Sequence, residues 1–179
     1  MWGITIVKTI KDKILSWRSK MGKRLLSCFT SDFNKMSGQD LKNAIKASEG
    51  RTVLSENNVA GRKSVVGDVT NSELARAFGA DLILLNGLDV FNPYIDALPE
   101  SDEPIKLVKK LTGRPVGLNL EPVDLNADMM EEIEIISEGR ICSEATLKKI
   151  EEMGFDFVCL TGNPGTGVTN HQISEGIKL

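Results

Sequence analysis

From residue 50 to residue 179, the sequence repeats one pattern four times: a short apolar run, a few polar or glycine residues, and an amphipathic helix. The apolar runs are RTVLSEN, DLILLNG, RPVGLNLEP and FDFVCLTGN, which begin at Arg51, Asp81, Arg114 and Phe155. Strands that alternate with helices in this way belong to a parallel sheet with right-handed crossovers. The pattern predicts an α/β domain, and we expect each strand to be buried on both faces.

Residues that can cap a helix N-terminus precede four of the predicted helices, at Ser37, Thr70, Ser143 and Thr169. The pair Thr70 and Glu73 has the spacing of a capping box. In the helix that follows, Leu74, Ala77 and Phe78 share one face, and we expect this face to point inward.

Two arrangements of the four units remain open: a (βα)4 half of a TIM barrel, and an open, doubly wound parallel sheet. Neither the GxGxxG turn of dinucleotide-binding folds nor the GxxxxGK[ST] loop occurs in the sequence. Polar residues follow every strand, at Ser55-Glu56-Asn57, Asn86-Gly87, Asn119-Leu120-Glu121 and Thr161-Gly162-Asn163. A barrel gathers its active site from the carboxyl ends of many strands, so the sequence favours the half-barrel.

The first 22 residues differ from the rest. Val7, Ile10, Ile14 and Trp17 form one apolar helical stripe among lysines. We therefore predict a basic amphipathic helical extension over residues 1–22 and a half-barrel domain over 23–179. The extension could pack on the domain or on a second copy, could lie on an anionic membrane surface, or could precede a natural start at Met21.

The distribution of charge and the number and spacing of cysteines limit which partners and which cellular compartment the sequence predicts. Residues 1–46 hold ten Lys/Arg and three Asp/Glu, which leaves twelve basic and 22 acidic residues in the remainder. An acidic body disfavours nucleic acid as a partner. Three cysteines without CxxC spacing predict no disulfide framework, and no apolar stretch is long enough to span a bilayer. These features predict a cytoplasmic protein without a transmembrane segment.

The sequence TGNPGTGVTN, from Thr161 to Asn170, is the strongest local feature. Its glycines let backbone N–H groups approach an anion, and the helix that follows offers its positive end. The predicted substrate-binding residues in this loop are Thr161, Gly162, Asn163, Gly165, Thr166 and Gly167. A tight structural turn would show the same composition, so both readings stay open.

Glu121 and Glu56 are the candidate catalytic residues, as general acid or base, because each carboxylate follows the apolar part of a strand. Either could instead hydrogen-bond neighbouring loops. Asn86 and Asn119 are the candidates for orienting a substrate. A divalent cation such as Mg²⁺ could take part. Asp89 and Asp124 are expected to be turn or helix-start residues.

From about Lys23 to Asn170, the chain resembles a family of uncharacterised bacterial TIM-barrel proteins labelled haloacid-dehalogenase-like or phosphoenolpyruvate-mutase-like. The resemblance rests on KRLLSC, SEGRTVLSEN, NSELARAFGADLILLNGLDVFNP, LTGRPVGLNLEPVD and GFDFVCLTGNPGTGVTN. The DxDx[TV] motif of the dehalogenases is absent, and Lys109-Lys110 precede Leu111-Thr112 rather than the mutase loop.

The resemblance implies an eight-stranded barrel, whereas this sequence predicts four strands. We therefore expect a homo-oligomer or a missing C-terminal half, since open parallel edges are an aggregation hazard. The expected function is binding of a small phosphorylated or carboxylated metabolite. Hydrolase or lyase chemistry by carboxylates could accompany it; the alternative is a non-catalytic half-barrel that depends on a partner.

Overall fold

The computed structural model describes residues 22–59, 61–124, 126–129 and 132–179. The chain divides after Thr52 into two compact units. The apolar stripe predicted for the N-terminal extension lies outside the described residues. The predicted boundary between residues 22 and 23 stays a prediction.

The first unit contains a 3-10 turn, Leu25–Ser27, and the helices α1, Thr30–Phe33, and α2, Gly38–Ala47. Ser37 caps α2, as its position in the sequence predicts. Its hydroxyl accepts a hydrogen bond from the Asp40 N–H at 3.2 Å, and the Asp40 carboxylate accepts one from the Ser37 N–H at 3.0 Å. This reciprocal pair satisfies two N–H groups that would otherwise lack partners.

The second unit alternates strands and helices, as predicted. Its elements are β1 Leu54–Asn58, α3 Asn71–Ala77, β2 Leu82–Asn86, α4 Pro104–Thr112, β3 Val116–Leu120, α5 Glu144–Met153, β4 Phe157–Leu160 and α6 Asn170–Gly176. Two 3-10 turns, Glu138–Arg140 and Pro164–Thr166, lie in the connections before α5 and α6. The predicted caps are present at Thr70, Ser143 and Thr169.

The four described strands form one parallel sheet in the order β1-β2-β3-β4. Helix α3 packs against α4, and α4 packs against α5, so these helices form one layer. Strands in sequence order with right-handed crossovers place every helix on the same side of the sheet. A doubly wound sheet reverses its order and covers both faces. The parallel sheet with alternating helices confirms the predicted α/β fold, and its strand order is consistent with the (βα)4 half-barrel.

Alternation along the strands gives the sheet two faces of different composition. The face toward the helices is apolar: its residues Ile83, Leu85, Val116, Leu118 and Leu120 are fully buried and belong to one core cluster. The opposite face, called the inner face below, is mixed. It carries Glu56, Asn58, Asn86, Gly117, Asn119, Phe157 and Cys159 together with the leucines Leu54, Leu82 and Leu84. The polar residues predicted for a site thus share the inner face.

The four residues of β4 are only partly buried, and the strand β1 departs further from the expectation that every strand is buried on both sides. Three of its five residues are exposed, because β1 lies at the edge of the sheet and pairs only with β2. The inward orientation expected for Ala77 and Phe78 is also wrong. Both are exposed, and Phe78 lines an open groove beside β1, since no further strand covers the outer end of α3 among the described residues.

Close packing at Gly117 generates a stability prediction. A Cβ atom added to Gly117 would lie 2.2 Å from the ring of Phe157. Gly117→Ala must push that ring aside, so we expect the free energy of unfolding to fall by about 1–3 kcal/mol in urea denaturation. Gly162→Ala is the control, because its Cβ would meet Val168 at an ordinary 3.6 Å. Equal stability of the two variants would contradict the packing described here.

Candidate functional site

The inner face brings together one polar side chain from each of three neighbouring strands. Oε1 of Glu56 on β1 accepts a hydrogen bond from Nδ2 of Asn86 on β2 at 2.5 Å. Nδ2 of Asn119 on β3 lies 3.5 Å from the same oxygen. The Glu56 side chain therefore extends across β2 toward β3. Three of the predicted site residues form this cluster, called the strand-end cluster below.

The members of the strand-end cluster differ in their access to solvent. Glu56 is exposed, Asn86 is partly buried, and Asn119 is only 5% exposed. Oε2 of Glu56 has no hydrogen-bond partner among the described residues, so one carboxylate oxygen is held and the other is available. A ligand approaching the inner face would meet Glu56 first.

Cys159 on β4 also lies on the inner face, paired in register with Asn119. Burial raises the pKa of the Cys159 thiol, and the negative charge of Glu56 raises it further. Both effects disfavour the thiolate, which is the reactive form of cysteine. Cys159 thus fits the apolar role that its surroundings in FDFVCL predict, rather than that of a nucleophile.

Glu121, directly after β3, forms a second cluster. Its carboxylate is buried, with the residue 6% exposed. Oε1 accepts a hydrogen bond from Nη2 of Arg140 at 3.1 Å, and Oε2 accepts one from Oγ1 of Thr166 at 2.6 Å. Glu121 thereby ties the 3-10 turn before α5 and the loop after β4 to the end of β3. Glu121, Arg140 and Thr166 are called the anchor cluster below.

The glycine-rich loop directs part of its hydrogen-bonding capacity inward. The side-chain oxygen of Asn163 accepts a hydrogen bond from the Gly165 N–H, and the main-chain carbonyl of Asn163 accepts one from the Thr166 N–H, both at 3.1 Å. The Thr166 hydroxyl is committed to Glu121. These donors stabilise the loop itself. For these groups, the contacts support the interpretation of TGNPGTG as a tight structural turn.

The glycine that this loop requires is Gly167. Its φ is +77°, and a Cβ there would lie 2.7 Å from the carbonyl oxygen of Asp124. A Cβ on Gly165 would meet Glu134 Oε2 at 3.2 Å, a contact that a flexible side chain can relieve. The Thr161 side chain and Gly162 take part in neither cluster. The Thr161 N–H donates a hydrogen bond to the Leu120 carbonyl, which continues the pairing of β4 with β3.

Arg140 is the functional candidate that the sequence did not reveal. It follows Gly139, where a Cβ would lie 1.9 Å from Oδ1 of Asp89. Only glycine allows this close approach, which joins residues that are distant in sequence, so no local pattern indicated it. Asp89 accepts from the N–H groups of Phe91 and Asn92, as expected of a turn residue.

Asp124 is a turn residue as well, since its carboxylate accepts from the Asn126 N–H at 2.9 Å. Among the residues that the structure describes, no group of three or more His, Cys, Asp or Glu side chains is arranged to hold a metal ion. None of the described helices is long and apolar enough to cross a membrane.

Residues 26–179 match a family model described as a domain of unknown function, DUF7916. The chain belongs to the DUF7916 family. The match includes all four described strands and both clusters, so the parallel sheet and its inner face lie within the DUF7916 domain. No curated protein and no solved structure matches the chain. The resemblance to dehalogenase-like and mutase-like proteins stays a prediction.

The anchor cluster leads to a double-mutant prediction. Thr166→Val removes a hydrogen bond to a buried carboxylate, so we expect the free energy of unfolding to fall by about 1.5–3 kcal/mol. Glu121→Gln should also destabilise the protein. Because the two residues contact each other, the double variant should lose less than the two single losses added together. Urea denaturation measures each value.

Thr161→Val serves as the matched threonine control and should change the free energy of unfolding by less than about 0.5 kcal/mol. Strict additivity of Glu121→Gln and Thr166→Val would show that their contact does not contribute to stability.

Proposed function

We propose that this protein binds a small phosphorylated or carboxylated metabolite on the inner face of the sheet, between Glu56 and Arg140. The observation that carries the proposal is the arrangement of the two clusters along β3. Asn119 and Glu121 are two residues apart on the strand and its continuation, so they share a face at a Cα separation of about 7 Å. A metabolite of a few carbon atoms spans that length.

Arg140 is the group best suited to the anionic end of the metabolite. Its contact with Glu121 uses one of the five N–H donors of a guanidinium. A quarter of the Arg140 side chain is exposed. The planar guanidinium binds carboxylate and phosphate through paired hydrogen bonds. In this proposal, the glycine-rich loop contributes indirectly: it places Thr166 against Glu121, which in turn orients Arg140.

Glu56 is the better of the two predicted acid-base residues. It is exposed, and its available oxygen can exchange a proton with a bound molecule, whereas both oxygens of Glu121 are engaged. Hydrolase or lyase chemistry would therefore run through Glu56, with Asn86 and Asn119 as positioning residues. Glu56 would be the residue to hold a Mg²⁺ ion, which would supply positive charge to a bound phosphate. A cytoplasmic location fits the absence of a disulfide among the described cysteines.

A second proposal concerns assembly: a second copy of the chain pairs with the open edges of β1 and β4. Each of these strands has one neighbour in the described sheet. Apolar side chains stand exposed beside the β1 edge, with Leu54 at 45%, Val65 at 77% and Phe78 at 86% exposure. Two copies related by a two-fold axis would combine four strands from each copy into a closed barrel of eight strands.

Calorimetric titration tests the binding proposal. We expect the parent protein to bind glycerol 3-phosphate, and we expect Arg140→Lys to weaken binding about tenfold, because a lysine ammonium cannot form the paired hydrogen bonds. Arg76→Lys, on α3, is the control and should bind like the parent. Titrations with and without Mg²⁺ show whether the ion contributes. If the parent binds none of a broad panel of phosphorylated and carboxylated compounds, the proposal is wrong.

Sedimentation velocity at micromolar concentration tests assembly. Dimers are expected, and Phe78→Glu should shift them toward monomers by placing a charge in the groove beside β1. The control variant Phe91→Glu changes a less exposed phenylalanine, 47% against 86% for Phe78, that does not line that groove. A well-folded parent that sediments as a monomer would rule out closure by a second copy.

A further inference from the structure

The side-chain amide of Asn119 is poorly satisfied at the centre of the strand-end cluster. Its Oδ1 is buried and has no hydrogen-bond partner among the described residues. Asn57 Oδ1 and Ser72 Oγ share this property. Asn57, however, pairs in register with the core residue Leu85, so it lies on the helix-facing side of the sheet. Of the three atoms, the oxygen of Asn119 belongs to the inner face.

The nitrogen of the same amide is also weakly bonded. Nδ2 of Asn119 lies 3.5 Å from Oε1 of Glu56, at the long limit for a hydrogen bond, whereas Asn86 approaches that oxygen to 2.5 Å. Buried polar groups in native proteins are normally bonded, and one that is not requires an explanation. The Asn119 amide thus carries an acceptor, Oδ1, beside a donor, Nδ2, and neither makes a short hydrogen bond with the described residues.

We infer that the metabolite presents to Asn119 a hydroxyl group beside a second oxygen atom, as in a vicinal diol or a 2-hydroxy acid. The hydroxyl donates to Oδ1, and the neighbouring oxygen accepts from Nδ2, so that one rigid amide recognises both atoms. This inference rests on the proposed function, which supplies the anionic end of the same molecule at Arg140. It identifies the ligand as a hydroxylated anion rather than any small phosphate or carboxylate.

Access to the buried amide depends on Glu56. The Glu56 side chain extends from β1 across β2 to reach Asn119, and it is exposed to solvent. A rotation of this side chain breaks its 2.5 Å hydrogen bond with Asn86 as well as the 3.5 Å contact with Asn119, and it uncovers the amide.

Two probes with the same phosphate group test the inference. Glycerol 3-phosphate carries a vicinal diol, and propyl phosphate lacks both hydroxyl groups. A site that hydrogen-bonds a hydroxyl discriminates strongly against the analogue that lacks it. We expect the parent protein to bind glycerol 3-phosphate at least about tenfold more tightly than propyl phosphate in calorimetric titration.

Asn119→Leu should remove this preference while leaving the weaker binding of propyl phosphate unchanged. The same variant should be as stable as the parent or more stable in thermal unfolding, because it replaces an unsatisfied buried amide with an apolar side chain of similar size. Asn57→Leu is the matched control. It also removes an unsatisfied buried oxygen, but from the helix-facing side, so it should retain the full preference for glycerol 3-phosphate.

The outcomes separate the two proposals. Equal binding of both phosphates by the parent would overturn the inference and leave the proposed function standing. An unchanged preference in Asn119→Leu would overturn it as well. Binding of neither phosphate would overturn the inference, whereas the proposed function fails only if the parent also binds none of the broad panel of phosphorylated and carboxylated compounds. If Asn119→Leu does not fold, the comparison of the two probes on the parent protein still decides.

Discussion

The pairing register between β2 and β3 is the constraint on which the rest of the structure depends. Ile83 pairs with Val116, Leu84 with Gly117 and Leu85 with Leu118. A shift of one residue would turn Asn119 into the apolar helix layer and bring core residues onto the inner face. Burial of these apolar side chains against α4 and α5 opposes such a shift. The hydrophobic core thus determines where the polar side chains point.

The anchor cluster shows how a buried charge can organise the loops at the end of a strand. A carboxylate removed from water is costly unless its oxygens are bonded, and Glu121 bonds both, to Arg140 and Thr166. These bonds join three segments that are distant in sequence. The most conspicuous carboxylate in the sequence therefore holds two loop segments to the end of β3. Glu56, on the exposed edge strand, keeps an available oxygen and is free to meet a ligand.

Several glycines are explained by contacts rather than by turns. Gly117 makes room for the ring of Phe157, and Gly139 makes room for the carboxylate of Asp89. Both contacts join residues at least 40 positions apart in the chain. Local patterns carry no trace of such approaches, which is why the sequence pointed to the glycines at 162–167 and overlooked these two.

The sequence by itself determined the order of strands and helices, the helix caps and the parallel sheet, because apolar periodicity and capping chemistry are local properties. It also placed Glu56, Asn86 and Asn119 at strand ends, where a parallel sheet gathers them on one edge. Only the tertiary structure decided that β1 is exposed, that the glycine-rich loop bonds part of its own donors, and that Arg140 faces Glu121. Burial and hydrogen-bond partners arise from segments that are distant along the chain, and no local pattern encodes them.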